Sequence, residues 1–383
     1  MKIRLAILGA TGMAGRDALV HHNLLDGIHE QYAEITCVTA SQQSAGRKLG
    51  EVVAEKEAAL TSAYPFWKPM NCPSDLGALT IDPTDPAIIS NKADYVISAL
   101  GADIAKEVEL ALTKLGVHVF SNASAYRWDP KVPLLIPEVN YHHLNLLKAQ
   151  QTPGKLVCNP NCTTAGYVPV IHALQEKGYR IHSVNLVTQQ AISGKGDAIA
   201  SPEYANRIMG NVIDDWTGED GVNDEEIKSS AEPNKILGNA STYDFYKQEY
   251  AKMMAGKQHK ILPIASQTSR VAVQNGHMEC LMIRFNRRVS ADDIKTLLHT
   301  YEINPRVRDL PTTPRELFYV MDGMPSPKED LFRGKGMTVV VGDIQQHSPD
   351  TISLWTLSHN LRRGATWAGR QGLELYLSQK NLL

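Results

Sequence analysis

The chain has 383 residues, 43% hydrophobic and 21% charged, enough apolar material for two domain cores. Its 39 basic and 41 acidic residues leave a formal charge of −2, so nothing favours nucleic acid or an anionic membrane; a small charged metabolite, which answers to local charge, stays open. Five cysteines in a chain of this length argue against a secreted disulfide framework, and Cys158 and Cys162 lack a second Cys or His pair at zinc spacing, so no metal is expected.

The N-terminal Lys2-Ile3-Arg4 and the apolar residues behind it superficially resemble a signal peptide. The run is too short, and it leads into a glycine motif that a folded domain needs. No stretch approaches the roughly 18 to 20 apolar residues of a membrane span, so the chain reads as cytoplasmic. Ile3–Leu8 is apolar and β-branched, which predicts a buried strand, and 14–25 after it reads as a helix. Further buried strands are predicted at 35–39, 95–99, 117–120 and 156–158, and 165–176 reads as a helix. Strands alternating with helices imply a parallel sheet with right-handed crossovers. Longer strand candidates follow at 181–188, 270–285, 337–344 and 351–357. Their mixed apolar and polar residues suit an antiparallel sheet with one solvated face. The stretch 195–260 is polar and helix-rich; its acidic cluster, Asp214-Asp215 through Asp224-Glu225-Glu226, reads as a solvated helix surface. The amphipathic segment 364–382 should form a terminal helix that docks back on the first domain.

Gly9-Ala10-Thr11-Gly12-Met13-Ala14-Gly15 lies between the first strand and the first helix. Gly9 suits a tight turn, Gly12 lets backbone approach a pyrophosphate, and Gly15 lets helix and strand pack closely; the helix N-terminus offers N–H groups to the phosphates. A glycine-rich turn with no ligand is the plainer alternative. An NAD enzyme usually carries an acid at the end of the second strand. Here the chain reads Ser41-Gln42-Gln43-Ser44-Ala45-Gly46-Arg47-Lys48, whose hydroxyls and cations suit the 2′-phosphate of NADP.

Asn159-Pro160-Asn161-Cys162-Thr163-Thr164 places Cys162 at a strand-to-helix junction, where free N–H groups and the helix dipole predict an acidic thiol. A thiolate there can attack an activated acyl group to form a thioester. Cys158, inside the apolar strand, reads as a core thiol. Taken alone, His277 reads as a structural histidine, and Lys228 with Glu225 as a surface pair.

In order along nearly the whole chain, the glycine loop, Ser98-Ala99-Leu100-Gly101, the Cys162 hexapeptide, Gln190 to Gly194, Glu225 to Lys228, Lys235 to Gly238, Arg270-Val271 to His277, and His359-Asn360 with Arg363-Gly364-Ala365 resemble the aspartate-semialdehyde dehydrogenase family, in its archaeal and fungal branch. The resemblance implies a Rossmann-type parallel-sheet domain, 1–157 plus 360–383, and an α+β catalytic and dimerisation domain, 158–359, with a large mixed or antiparallel sheet. It implies a homodimer or homotetramer. Cys162 would be the nucleophile, His277 the general acid–base and Gln190 the group orienting the acyl chain. Arg270 would fork onto a substrate carboxylate, with Lys228, Glu225 and Asn122 completing the substrate site. NADP would lie against Gly9, Thr11, Gly12, Met13, Ala14, Ser41, Ser44, Arg47, Ser98, Ala99, Leu100, Ser193, Gly194 and Asn360, the last on the nicotinamide carboxamide.

The implied reaction is NADPH-dependent reductive dephosphorylation of 4-aspartyl phosphate to aspartate 4-semialdehyde, with phosphate opening the thioester in reverse. An acyl-CoA reductase such as malonyl-CoA reductase is the alternative on the same scaffold, and N-acetyl-glutamyl-phosphate reductase fits the motifs less well. A cofactor-binding regulatory protein without catalysis is the alternative from another class. Three stretches depart from the family pattern: Lys195-Gly196-Asp197-Ala198-Ile199 stands for Ala-Gly-Tyr-Pro-Gly, Gln43 for an Arg between the two serines, and 322–327 for an Arg-Pro-Gln-Pro-like segment.

Overall fold

β1 (Ile3–Leu8) is followed by helix α1 (Met13–Leu24), β2 (Ala33–Ala40), α2 (Leu49–Ala63) and the two-residue β3 (Asp82–Pro83). β4 (Tyr95–Ser98), α3 (Ala102–Lys114), β5 (His118–Ser121) and β6 (Leu156–Cys158) complete the first half. In this computed structural model, residues 2–24, 32–238 and 262–383 are described. The last residue of the helix expected over 14–25, and 239–260 of the expected polar segment, lie outside them.

β1 to β6 form one wholly parallel sheet in the order β3-β2-β1-β4-β5-β6. The strands are apolar on both faces because helices cover both: Leu5 to Leu8 of β1 and Tyr95 to Ser98 of β4 are buried throughout. Strand order reverses between β1 and β4, and an open α/β sheet forms its ligand crevice beyond the carboxyl ends of the strands at such a point. Gly9 to Ala14 and Ser98 to Leu100 occupy that edge.

From β6 the chain enters α4 (Cys162–Glu176) and then a second sheet. β7 (Ile181–Ala191), β8 (Val212–Ile213), β9 (Ile264–Val271), β10 (His277–Phe285), β11 (Phe318–Val320), β12 (Val339–Ser348) and β13 (Thr351–Ser358) take the order β11-β12-β13-β10-β7-β9-β8. The sheet is mixed, since β7–β9 and β11–β12 run parallel and the other pairs antiparallel. Alternate residues of β7 are buried, Val184, Leu186 and Thr188 on one face, while Asn185 and Val187 face out.

The stretch 270–285, expected as one strand, is two. β9 runs parallel to β7 and β10 antiparallel to it, so the chain reverses direction across 272–276. Asp224–Ile236, α5, is the one helix described within the acidic cluster, so Asp214 to Asp220 are not on a helix. The terminal helix α6 (Trp367–Gln379) does return to the first sheet: Tyr376 packs edge-on against Phe120 and beside His118. No helix among the described residues is long and apolar enough to cross a membrane.

Candidate active site

Asn161 caps α4, its side chain accepting from the Thr163 and Thr164 amides at 2.9 and 3.3 Å, and this makes Cys162 the first residue of the helix. Across the register of the second sheet, Gln190 at the end of β7 lies opposite Arg270 of β9, and His277 opens β10 on the other side of β7. Three strand ends therefore converge on one helix start. Cys162 Sγ lies 3.2 Å from His277 Nε2. The Ala191 amide donates to His277 Nδ1 at 3.1 Å, which favours a neutral ring with its proton on Nε2, facing the sulfur. The Gly276 carbonyl beside the ring favours its charged form. Nε2 can take the thiol proton only in the other neutral tautomer, in which the ring proton sits on Nδ1, so acceptance of that proton requires a prior shift of tautomer.

The helix start is present, but burial opposes the acidic thiol expected from it. Burial, and then the Glu225 carboxylate, push the Cys162 thiol up to about 12, against the opposing pull of Arg270, Arg127 and the Thr163 amide. Burial and the Arg270 charge hold His277 well below the ordinary histidine range. Without ligand the pair is a thiol and a neutral imidazole, and a helix dipole worth about 1 kcal/mol does not outweigh removal of the thiolate from water.

One face of α5 supports this arrangement. Glu225 accepts from the Asn161 side-chain amide at 2.8 Å and from Gln190 Nε2 at 3.0 Å. Two turns on, Glu232, fully buried, accepts from the Asn161 backbone N–H at 2.6 Å and from Arg127 Nη1 at 3.0 Å. Lys235 donates to the carbonyls of Arg127 and Asp129. The residue before the nucleophile is therefore gripped through both its side chain and its backbone. Arg127, Glu232 and Asn161 were not singled out from the sequence. Asn followed by Cys-Thr-Thr is a readable N-cap signal; Arg127 and Glu232 carried no comparable signal.

A cavity of about 430 Å³ joins these residues to the glycine loop. Gly12, Met13, Ala14, Ala99 and Leu100 form one wall; Cys162, Gln190, Glu225, Lys228 and Arg270 form the other. Asn122, Arg127, Ser193, Gly194 and Asn360 lie between. Asn122 accepts from Asn159 and donates to the Ser98 carbonyl, each at 2.7 Å. Asn360 is held by the Gly276 amide at 2.9 Å and by Ser193 Oγ at 2.8 Å. Lys228 has a loose contact, 4.0 Å, with Asp224.

The glycine loop fits a dinucleotide. Gly9 has φ +70°, and a Cβ there would lie 2.7 Å from the Ala99 carbonyl oxygen; a Cβ on Gly15 would lie 2.1 Å from the Gly9 oxygen. Only glycines allow this approach of helix and strand, which leaves backbone lining the cavity. Gly9, Thr11 and Ser98 sit behind that wall. The expected 2′-phosphate residues do not reach the cavity. Ser44 is buried with its hydroxyl 3.5 Å from that of Ser41, Arg47 is bound to Glu55 at 3.0 and 2.5 Å, and Lys48 donates to the Ala78 carbonyl and Thr80.

The departing loop is tied down by its charges. Asp197 accepts from Arg16 Nη1 at 2.9 Å and pairs with Lys56, which joins the catalytic wall to α1 and α2, and Lys195 reaches Asp215 at 3.2 Å. The solvated reading of the acidic cluster holds for Asp214, Glu219, Asp220 and Asp224, which are exposed, and fails for Asp215 and Glu225, whose carboxylates are buried by their partners.

Residues 4–147 match the model of the semialdehyde dehydrogenase NAD-binding domain, and 171–363 that of the semialdehyde dehydrogenase dimerisation domain. An aspartate-semialdehyde dehydrogenase of Trichophyton rubrum is 33% identical over 95% of this chain and 94% of its own. One of Archaeoglobus fulgidus is 33% identical over 99% of both. The chain belongs to the aspartate-semialdehyde dehydrogenase family. The crystal structure of the Candida albicans family member with NADP superposes with a TM-score of 0.77 at 29% identity, covering all of both chains. A malonyl-CoA reductase (NADP) of Metallosphaera sedula is also similar, 29% identical over 98% of this chain and 97% of its own.

Proposed function

We propose that the chain reduces 4-aspartyl phosphate to aspartate 4-semialdehyde with NADPH, reversibly, through a thioester on Cys162. The observation that carries the reading is the Cys162–His277 pair at 3.2 Å, set in the cavity that also presents Arg270 and the glycine loop. Arg270 and Gln190 hold the carboxylate and acyl end of the substrate, and Lys228 and Arg127 face its phosphate. Cys162 attacks the acyl carbon, its proton passing to His277, and phosphate leaves to give the thioester. NADPH, lying along Gly12 to Ala14 with Ala99, Leu100, Ser193, Gly194 and Asn360 about it, supplies a hydride when bound. His277 Nε2–H sits where negative charge develops, on the sulfur and the carbonyl oxygen, and stabilises it. Residues 1–157 with 360–383 form the cofactor domain in this reading, and 158–359 the catalytic domain. The exposed Val187 and Met282, on β7 and β10, support a homo-oligomer built on the open sheet face.

Aspartate semialdehyde, phosphate and NADP⁺ should together generate reduced-nicotinamide absorbance. Silence from that mixture, with NADPH oxidised by malonyl-CoA, would transfer the assignment to acyl-CoA reduction. Silence from both would favour a protein without catalysis.

A further inference from the structure

Asp215 and Trp216 belong to a polar, acidic stretch whose composition suggests nothing but surface. In the fold they enclose the guanidinium of Arg270. Asp215 Oδ2 accepts from Arg270 Nε at 3.1 Å, and its side chain is 1% exposed, as is that of Arg270. The guanidinium sits over the Trp216 ring, with Arg270 Cζ 4.2 Å from its centroid. The Ala191 carbonyl accepts from Nη1 at 2.7 Å. Gly194 completes the fit, since a Cβ there would come within 2.9 Å of Nη1. Nη2 has no partner among the described residues. Edge, face and one amino nitrogen are therefore fixed, and Trp216 itself lines the cavity.

A buried Arg–Asp pair alone would be nearly neutral and a poor attractor of anions. Here the second oxygen of Asp215 faces two more cations, Lys195 at 3.2 Å and Arg207 at 3.4 Å, while Tyr204 donates its hydroxyl to Oδ2 at 2.9 Å. Three cations share one carboxylate, so the cluster keeps net positive charge while Asp215 fixes the orientation of Arg270. Lys195 comes from the Lys195-Gly196-Asp197-Ala198-Ile199 loop, so that loop and the acidic stretch meet at one carboxylate.

We propose that Asp215 and Trp216 are positioning residues that clamp Arg270 and so set the specificity of the site for a carboxylate-bearing acyl chain, with Trp216 as the wall against which that chain lies. The proposal rests on the reading of Arg270 as the carboxylate-binding residue. Its consequence is that loss of the clamp should cost discrimination rather than thiol reactivity. A freed guanidinium swings out of register, and the loss of a hydrogen bond to a charged group should read as about a tenfold loss of discrimination.

The test compares alkylation of Cys162 by anionic iodoacetate and neutral iodoacetamide, read by peptide mass, so it needs no knowledge of the natural substrate. Asp215→Asn and Trp216→Leu should each lower the iodoacetate-to-iodoacetamide rate ratio about tenfold, toward the value of Arg270→Lys, with the iodoacetamide rate within about twofold of wild type. Asp215→Glu and Trp216→Phe should restore most of the ratio. Should Asp215→Asn not fold, Trp216→Leu, which leaves the ion pair in place, carries the same comparison. An unchanged or raised ratio in the folded variants would overturn the clamp. With aspartate semialdehyde, the same variants should raise KM about tenfold while kcat stays within about threefold. A wild type inert toward that substrate, with the ratio still falling in the variants, would remove the substrate assignment and leave the clamp standing. Normal wild-type turnover with neither ratio nor KM moved would do the reverse.

Discussion

The two walls of the cavity are held in different ways. On the catalytic wall, Gln190, Arg270 and His277 are almost completely buried, each fixed by named donors or acceptors, and α5 grips the residue before the nucleophile twice. On the cofactor wall the surface is backbone and apolar side chains, and the cations after the second strand, Arg47 and Lys48, are engaged with Glu55, the Ala78 carbonyl and Thr80. The difference follows from what each wall must bind. Charge that develops during reaction needs donors already in place, whereas a pyrophosphate can be met by N–H groups at a helix start that need no rotamer. Substitutions should therefore have steep effects on one wall and shallow effects on the other.

The largest expected effect is that of Cys162→Ala, which should cut turnover by at least about ten-thousandfold, because no thioester forms. Steady-state assay with aspartate semialdehyde checks it, and residual activity within a hundredfold of wild type would break the account of the catalytic wall. His277→Asn should cost about a hundred- to ten-thousandfold in kcat, with iodoacetamide still reaching Cys162. A smaller effect sharpens the proton accounting: alkylation of Cys162 in the free enzyme should keep accelerating from about pH 6 to pH 9, because a thiol pushed to about 12 stays protonated across that window and its thiolate fraction grows with each step in pH. A plateau near neutrality would mean an acidic thiol and an ion pair with His277. The smallest effect belongs to Arg47→Ala. With Arg47 bound to Glu55, the KM for NADPH should rise by no more than about threefold, as expected for an exposed pair. A tenfold rise for NADPH with NADH unaffected would show that Arg47 leaves Glu55 for the 2′-phosphate, and the contrast between the walls would narrow.

What the sequence made legible was local. The glycine loop, the Asn161-Cys162 junction and every strand of the first sheet except the two-residue β3 depend on neighbours within a few residues, and their positions in the fold match their pattern. The return of α6 was legible because an apolar terminal helix has to be covered. The break between β9 and β10 was missed, although Asn275-Gly276 is a turn signal, because Val271-Ala272-Val273 continues the strand pattern up to it. Asp215, Trp216 and Glu232 were not legible at all. The arginines that pair with Asp215 and Glu232 lie 55 and 105 residues away in sequence, and a buried carboxylate looks like a solvated one until its arginine is located. The thiol is a case of another kind: the helix start is real, but burial in the assembled cavity opposes the acidity expected from it.

The central claim is that Cys162 carries the acyl group, and intact-protein and peptide mass after mixing with aspartate semialdehyde and NADP⁺, without phosphate, tests it most directly. With no phosphate to open it, the thioester should accumulate as one aspartyl adduct on the Cys162 peptide and disappear when phosphate is added. An adduct on Cys158 or another cysteine, or one that survives in Cys162→Ala, would contradict the account.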